Sequence, residues 1–325
     1  MTTQRYGFFP FFVLVALLAF PFPVLALDMA ITVDDLPIHG HVSSEMNRHK
    51  IVQLFLSAFQ KHKLSGVYGF INAQQLKVSP HSEDVLDAWI HAGQLLGNHT
   101  YSHINLNHVS AQAFIKDIQK DEPTLQKLMG SQDYHYFRYP YLAEGLTQAK
   151  RDTVRKYLSE QKYKTAQVTV DFSDWEWNHS YFRCLAKKDV EAIVWLKKTF
   201  LEEALQSIEV AKNLSQLTFH REIKQIFLIH HGALQALMID ELLTEFQSHQ
   251  IHFVPLSEAL QDGAYSFNPN VLRKRTDAFL NQVRLAKDLE NPVIVRNIKA
   301  HSSESKVLEI CRKKAKRSHA KSQKK

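Results

Sequence analysis

The feature that most constrains this chain is an alternation that starts near residue 28. Short apolar runs of β type are separated by longer stretches in which apolar residues recur at helical spacing. The β-type runs are MAITV (29–33), VYGFI (67–71), QLLGN (94–98), HYFRY (135–139), AQVTV (166–170), IFLIH (226–230) and IHFVP (251–255), seven in all. Between them lie amphipathic stretches at 45–62, 83–93, 111–129, 147–161, 186–212 and 234–248; in the first of these Ile51, Phe55 and Phe59 share one face. Strands that alternate with helices build a parallel sheet, because each strand returns through a helix lying on the sheet. Seven such units suit an α/β barrel better than an open doubly wound sheet, and no Gly-rich phosphate turn follows the first strand.

The two ends of the chain differ from this middle. Arg5 precedes the apolar run FFPFFVLVALLAFPFPVL, and Val24-Leu25-Ala26 offers small residues where a signal peptidase cuts. Residues 1–26 are therefore expected to be a signal peptide and the protein to be exported, periplasmic or extracellular. An uncleaved membrane anchor is the lesser reading, disfavoured by Pro10, Pro21 and Pro23. At the other end, residues 271–325 hold 16 Lys/Arg against 5 Asp/Glu, so a total charge of +7 hides a slightly acidic body with a basic C-terminal extension. The boundary between a catalytic domain at 27–270 and this extension falls where Gly, Asn and Pro gather in SEALQDGAYSFNPN. In the extension Phe279, Val283 and Ala286 predict one amphipathic helix, which Pro292 ends. Such a tail is expected to meet an anionic wall polymer or membrane surface if it meets anything, and no nucleic acid; a solvated extension is the plainer reading. Two cysteines, Cys184 and Cys311, exclude a disulfide scaffold and a thiolate zinc cluster and leave one bridge possible.

In a parallel barrel the chemistry lies at the C-terminal ends of the strands. Asp34-Asp35 follow the first strand, His99 and His103 the third, Arg138 lies within the fourth and Pro140-Tyr141 follow it, Asp171 and Asp174-Trp175 follow the fifth, and His230 ends the sixth. Two imidazoles and a carboxylate form an open three-ligand set suited to zinc or another divalent transition metal, with His99 and His103 facing one way from a helical turn and Asp35 supplying the oxygen. Its neighbour Asp34 is then free to take a proton. Ile226, Leu228 and His230 share one face of their strand at period two, which puts His230 at the site as a general acid and His231 on the other face. Arg138 is a candidate partner for Asp34 and Asp174 for His230, while Trp175 and Tyr141 are candidates to wall a groove and stack on sugar rings. Taken singly, each of these residues reads equally well as a turn, an ion pair or core.

Taken in order, the set Thr32-Val33-Asp34-Asp35-Leu36-Pro37, His99-Thr100-Tyr101-Ser102-His103, Arg138-Tyr139-Pro140-Tyr141, Asp171-Phe172-Ser173-Asp174-Trp175 and Leu228-Ile229-His230 resembles the five motifs of the polysaccharide deacetylases of carbohydrate esterase family four. The resemblance spans roughly residues 28–260. It implies a distorted (β/α)7 barrel and metal-dependent removal of N- or O-acetyl groups from an acetylated carbohydrate. By position it makes Asp34 the base, Asp35, His99 and His103 the metal ligands, and His230 the acid. Arg138 would hold the base, Asp174 would tether the acid, and the Tyr141 backbone N–H would help bind the oxyanion. The chain departs from the pattern at Leu36, where the family usually has glycine, and a bulky residue there is expected to reshape the loop and narrow the cleft. Two other functions stay open: an amidase acting on a small C–N substrate with the same site, and a glycan-binding protein without turnover.

Overall fold

The first apolar run becomes the strand on which the others are arranged. This strand, β1 (Leu27–Leu36), is buried along almost its whole length and pairs in parallel with three others. The computed structural model describes residues 26–79, 81–272 and 277–312, together with Thr2. The expected signal peptide and the basic run from residue 313 onward thus lie almost entirely outside the described residues. Among those described, no helix is long and apolar enough to cross a membrane.

After β1 come α1 (Arg48–Lys61), β2 (Tyr68–Ile71), α2 (Gln75–Val78), α3 (Ser82–His91), β3 (Leu95–Asn98), α4 (Ala111–Met129), β4 (Tyr136–Phe137), α5 (Gln148–Glu160) and β5 (Lys164–Thr165). The second part of the chain adds α6 (Asp174–Lys187), α7 (Val190–Phe219), β6 (Gln225–His230), α8 (Ala233–Ser248), β7 (Ile251–Phe253), α9 (Leu256–Ala259), α10 (Phe279–Ala286), α11 (Val293–Ala300) and α12 (Glu304–Glu309). Polar residues start the longer helices: Asn47, Ser110, Thr147 and Asp189 each accept a backbone N–H of the first turn, satisfying donors that have no partner within the helix.

The sheet runs β5-β4-β3-β2-β1-β6, all parallel, and β7 pairs with the first residues of β1. It curls toward closure just beyond β5. The Thr169 and Val170 amides donate to the Ile226 carbonyl, and the Leu228 amide donates to Val170. The result is the expected distorted (β/α)7 barrel; six of its strands fall on the expected apolar runs, whereas β5 lies at Lys164–Thr165, just before the run AQVTV, which contributes only a bridge from Val170 to Phe227. Its interior is filled by Ala30, Tyr68, Phe70, Tyr136, Ala166 and Ile226, and a larger apolar layer lies between the strands and the surrounding helices.

The sequence reading missed α2, α6, α9, α11 and α12; the last two follow Pro292, so the described part of the extension holds three helices and not the expected one, with Pro292 standing at the start of α11. The stretch 186–212 was expected to be a single helix, but Lys188 is left-handed (φ 56°) and the chain breaks there into α6 and a 30-residue α7. Helix α6 covers the DWEWNHSYFRCLAK segment, whose apolar positions are interleaved with polar ones that are themselves buried, Asn178 and Ser180 among them. The amphipathic residues from Phe279 onward form α10, which packs with α11 on α7, while α12 packs on α6. Here Ser180 and Arg183 donate to the Val307 carbonyl (2.7 and 3.1 Å), and Cys184 and Cys311 form a disulfide.

At the end of β1, Leu36 is completely buried in the layer between sheet and helices. It fits there because its neighbour on β2 is glycine: a Cβ on Gly69 would lie 2.9 Å from Leu36 Cδ2 and 3.1 Å from Trp89 Cε2. Leu36 therefore does not narrow the cleft, contrary to the expectation from the motif. Leu36→Ala is expected to cost roughly 2–5 kcal/mol of stability in denaturant unfolding while leaving KM for any substrate unchanged. Reducing the Cys184–Cys311 bridge, which spans 127 residues, is expected to lower stability by about 2–4 kcal/mol, seen as a shift of the unfolding midpoint between oxidised and reduced protein.

Candidate active site

One face of β1 supplies the start of the site. Ala30, Thr32 and Asp34 point into the barrel at the strand's period of two, and by the same rule Asp35 belongs on the outer face. It does not go there, because Asp35 adopts left-handed backbone (φ 65°) and the pairing of β1 with β2 slips between Val33 and Leu36. This bulge turns both carboxylates toward one cavity of about 670 Å³ at the C-terminal end of the strands.

The His99–His103 loop reaches the same cavity, by a route other than the helical turn expected from its spacing. Thr100 and His103 are both left-handed (φ 60° and 54°), and the loop is held by side chains from other elements. Asn72 donates to the carbonyls of His99 and Thr100 (2.8 and 2.9 Å), and Asp117 on α4 accepts the Ser102 amide and hydroxyl (2.9 Å each). So folded, His99 Nε2 and His103 Nε2 lie 3.5 and 3.2 Å from the same oxygen, Asp35 Oδ1. That oxygen is buried and has no hydrogen-bond partner among the described residues. A buried, unsatisfied carboxylate oxygen facing two imidazole nitrogens fits a divalent transition metal. The other nitrogen of His99 pairs with the Arg138 carbonyl at 2.7 Å, which fixes the tautomer that presents Nε2. Burial lowers the His99 pKa to about 4 against the pull of Asp34, so the ring is neutral as a ligand must be.

Arg138 is fully buried inside the barrel. Its guanidinium donates to both oxygens of Asp34 (3.1 and 3.2 Å), to Thr32 Oγ1 (3.0 Å) and to the Ala166 carbonyl (2.6 Å), and it lies over the Phe70 ring at 4.7 Å. Beside Asp34, His230 is its register partner on the adjacent strand β6. Its Nδ1 pairs with Asp174 Oδ1 at 2.7 Å, its amide donates to Asp174 Oδ2 at 2.9 Å, and Gln235 donates to the same carboxylate at 2.7 Å. Burial opposes charging of the His230 ring, but Asp174, with Asp35 and Asp34 behind it, outweighs this and raises its pKa to about 10. His231 lies on the other face, as parity requires, but it is wholly buried against Phe55 and Trp89 and so belongs to the core.

Tyr141 sits at a left-handed turn (φ 59°) with its half-exposed ring 4.5 Å from the His103 ring. Trp175 opens α6 and packs edge-on against His179 at 5.6 Å; all three rings line the cavity. His39 and His179 are lining residues that motif reading did not single out. His39 follows Asp35 by four positions, the one signal that might have drawn attention to it among 18 histidines.

The raised pKa of His230 has a sign that can be checked. Its pairing with Asp174 stabilises the fold fully below the ordinary histidine value of about 6.5 and loses that contribution as pH rises through about 10. Asp174→Asn removes the main lift and leaves burial to dominate. The His230 ring in the metal-free protein is then expected to titrate below its ordinary value, as followed by NMR, and the alkaline loss of stability to disappear.

With this geometry in hand, comparison with known proteins is specific. Residues 27–166 match the family model described as polysaccharide deacetylase. The chain is 29% identical over 121 residues to a chitin deacetylase of Arthroderma benhamiae, a stretch covering 37% of this chain and 31% of the relative. It is 27% identical over 158 residues to a peptidoglycan-N-acetylglucosamine deacetylase of Bacillus cereus, covering 49% of this chain and 50% of that one. The chain thus spans half or less of the length of these two curated relatives. Among solved structures, a carbohydrate esterase family four pseudoenzyme from Bacillus anthracis superposes with a TM-score of 0.51 at 16% identity, covering 73% of this chain and 66% of that one, a likeness that shows the fold. Residues 27–166 are thus similar to a polysaccharide deacetylase domain, and the barrel is a fold this chain shares with solved members of carbohydrate esterase family four.

Proposed function

We propose that the protein is a metal-dependent hydrolase that removes acetyl groups from an N- or O-acetylated glycan. The observation that carries this reading is the convergence of three units on one cavity: the Asp34–Arg138 pair, the Asp35–His99–His103 set around an unsatisfied oxygen, and the His230–Asp174 pair.

Asp35, His99 and His103 would hold the metal, zinc before other divalent ions, and bound there it supplies Lewis-acid polarisation of the acyl carbonyl and acidifies water. Asp34 takes the proton of the attacking water as general base, and Arg138 fixes its orientation. The Tyr141 amide donates to the oxygen that gains charge as the carbonyl becomes tetrahedral. His230, kept protonated and oriented by Asp174, gives its proton to the departing sugar nitrogen or oxygen. Trp175 and Tyr141 offer flat apolar surface for the sugar rings at the mouth of the cavity. The narrowing that would have favoured a small amide substrate finds no support, since Leu36 faces away from the cavity.

Export is the compartment we assign to the protein, and the disulfide is what supports it, because such bridges persist in oxidising surroundings. The glycan would then be a wall or extracellular polymer.

The test is turnover on a panel of N- and O-acetylated oligosaccharides, read by mass as loss of acetyl and by release of acetate. Asp34→Asn is expected to abolish turnover and retain metal. His230→Ala is expected to lower turnover of an N-acetyl sugar on the order of 10²- to 10⁴-fold with metal content unchanged. Hydrolysis of an aryl acetate, whose leaving group departs without a proton, is expected to suffer much less. Equal losses on amide and ester would remove the acid role, and binding without acetate release would leave a glycan-binding protein.

A further inference from the structure

We infer that His39, which belongs to none of the five motifs, is a positioning residue of the metal centre: it holds the outer oxygen of Asp35 so that the inner one stays with His99 and His103. The inference rests on the ligand set assigned above.

A carboxylate ligand has two oxygens and a loosely restrained terminal torsion. Here the two oxygens face different partners. Oδ1 lies by the two imidazoles of the ligand set, and Oδ2 meets His39 Nδ1 at 2.7 Å, the length of a charge-assisted hydrogen bond. With Oδ2 anchored, the torsion that would carry Oδ1 away from the ligand set is fixed. The anchor matters more at this position than at an ordinary strand residue, because the left-handed backbone of Asp35 lies in the bulge where β1 and β2 lose register.

His39 is itself held firmly. Its amide donates to the His231 carbonyl at 2.8 Å and its carbonyl accepts from Asn178 Nδ2 at 3.4 Å. Asn178 in turn uses its oxygen to accept the Leu234 amide at the start of α8, so the anchor is tied to both α6 and α8. The following residue, Gly40, has φ 74°, and a Cβ there would lie 3.0 Å from Asn178 Nδ2. The imidazole is flanked by His230 (ring centroids 4.7 Å apart) and His179 (5.9 Å). Its Nε2 is buried with no protein partner among the described residues, so Asp35 alone selects the tautomer with the proton on Nδ1.

A second arrangement shares Asp35 and His39. Asp35, His39 and His230 offer ligand atoms within 4.8 Å of one another, as a second ion would require. An ion held by Nδ1 and Oδ2 together does not fit their 2.7 Å approach, because two ligand atoms each about 2.1 Å from one tetrahedral ion sit well over 3 Å apart; an ion held through Nε2 would be counted as a second ion per chain.

The experiment compares zinc binding by the full chain, measured by competition with a chromogenic chelator, in the parent, His103→Ala, His39→Phe, His39→Ala and His39→Asn. His39→Phe and His39→Ala are expected to bind zinc roughly 10- to 100-fold more weakly, the usual effect of losing such an outer partner. His39→Asn, whose side-chain amide N–H can take the place of Nδ1–H, is expected to recover most of the affinity. A purely structural role would not produce this rescue if the metal-free His39 variants unfold at similar temperatures. Parent-like affinity in both His39→Phe and His39→Ala, with zinc lost from His103→Ala, overturns the positioning role and leaves the ligand set standing. Equal zinc in the parent and His103→Ala overturns the ligand set and the inference with it. Two ions per parent chain, falling to one in every His39 variant, would instead make His39 a ligand and overturn the inference alone.

Discussion

The buried guanidinium of Arg138 is the interaction on which the site depends. A cation taken fully out of water is tolerable only when its donors are matched and an anion is near. Arg138 meets that demand with Asp34, Thr32 and the Ala166 carbonyl, and so joins β1 to the segment that follows β5 across the barrel interior. Its own carbonyl fixes the His99 ring. One residue therefore aligns the proposed base through its side chain and a proposed ligand through its backbone, and removing it would strand the Asp34 carboxylate in the same buried place.

The neighbouring strand β6 follows the same logic with the charges exchanged. Asp174 is a buried carboxylate that accepts from the His230 ring, the His230 amide and Gln235, and Gln235 also donates to the Asp174 carbonyl. The proposed base and acid thus stand side by side on adjacent strands, each beside a buried partner of opposite charge. The fixed network leaves the central groups oriented before any substrate arrives, which is what differential stabilisation of a developing charge requires.

Much of this was legible in the sequence because it rests on short-range periodicity. Six of the seven strands declared themselves as apolar runs, β5 forming just before its run, and the parity of Ile226, Leu228 and His230 gave the face on which His230 lies. What escaped depends on partners remote in the chain. The His99–His103 loop takes its shape from Asn72 and Asp117, so its spacing alone pointed to a helical turn that is not there. Leu36 looked like an obstruction until Gly69 on the next strand showed where the side chain goes. Helix α6 buries polar as well as apolar side chains and so lacked a clean stripe, and the Cys184–Cys311 pairing needs the C-terminal helices to be placed first.

The position of β1 has a consequence for how the chain acquires its shape. It is the first strand of the barrel in sequence, yet β6 and β7, two of its three partners, come from the last third of the domain; Thr32 Oγ1, for example, donates to a carbonyl 195 residues away. Contacts of that separation form late and slowly, because a long loop must close before they contribute. Until then the edge of β1 that β6 will pair, along Met29 to Asp34, stays open to any other strand it meets. The proposed ligands Asp35, His99 and His103 all precede β6 in sequence, so the part of the chain that carries them offers a sticky edge until β6 arrives. Its yield on refolding should therefore depend on dilution more steeply than that of a barrel whose neighbouring strands are also neighbours in sequence.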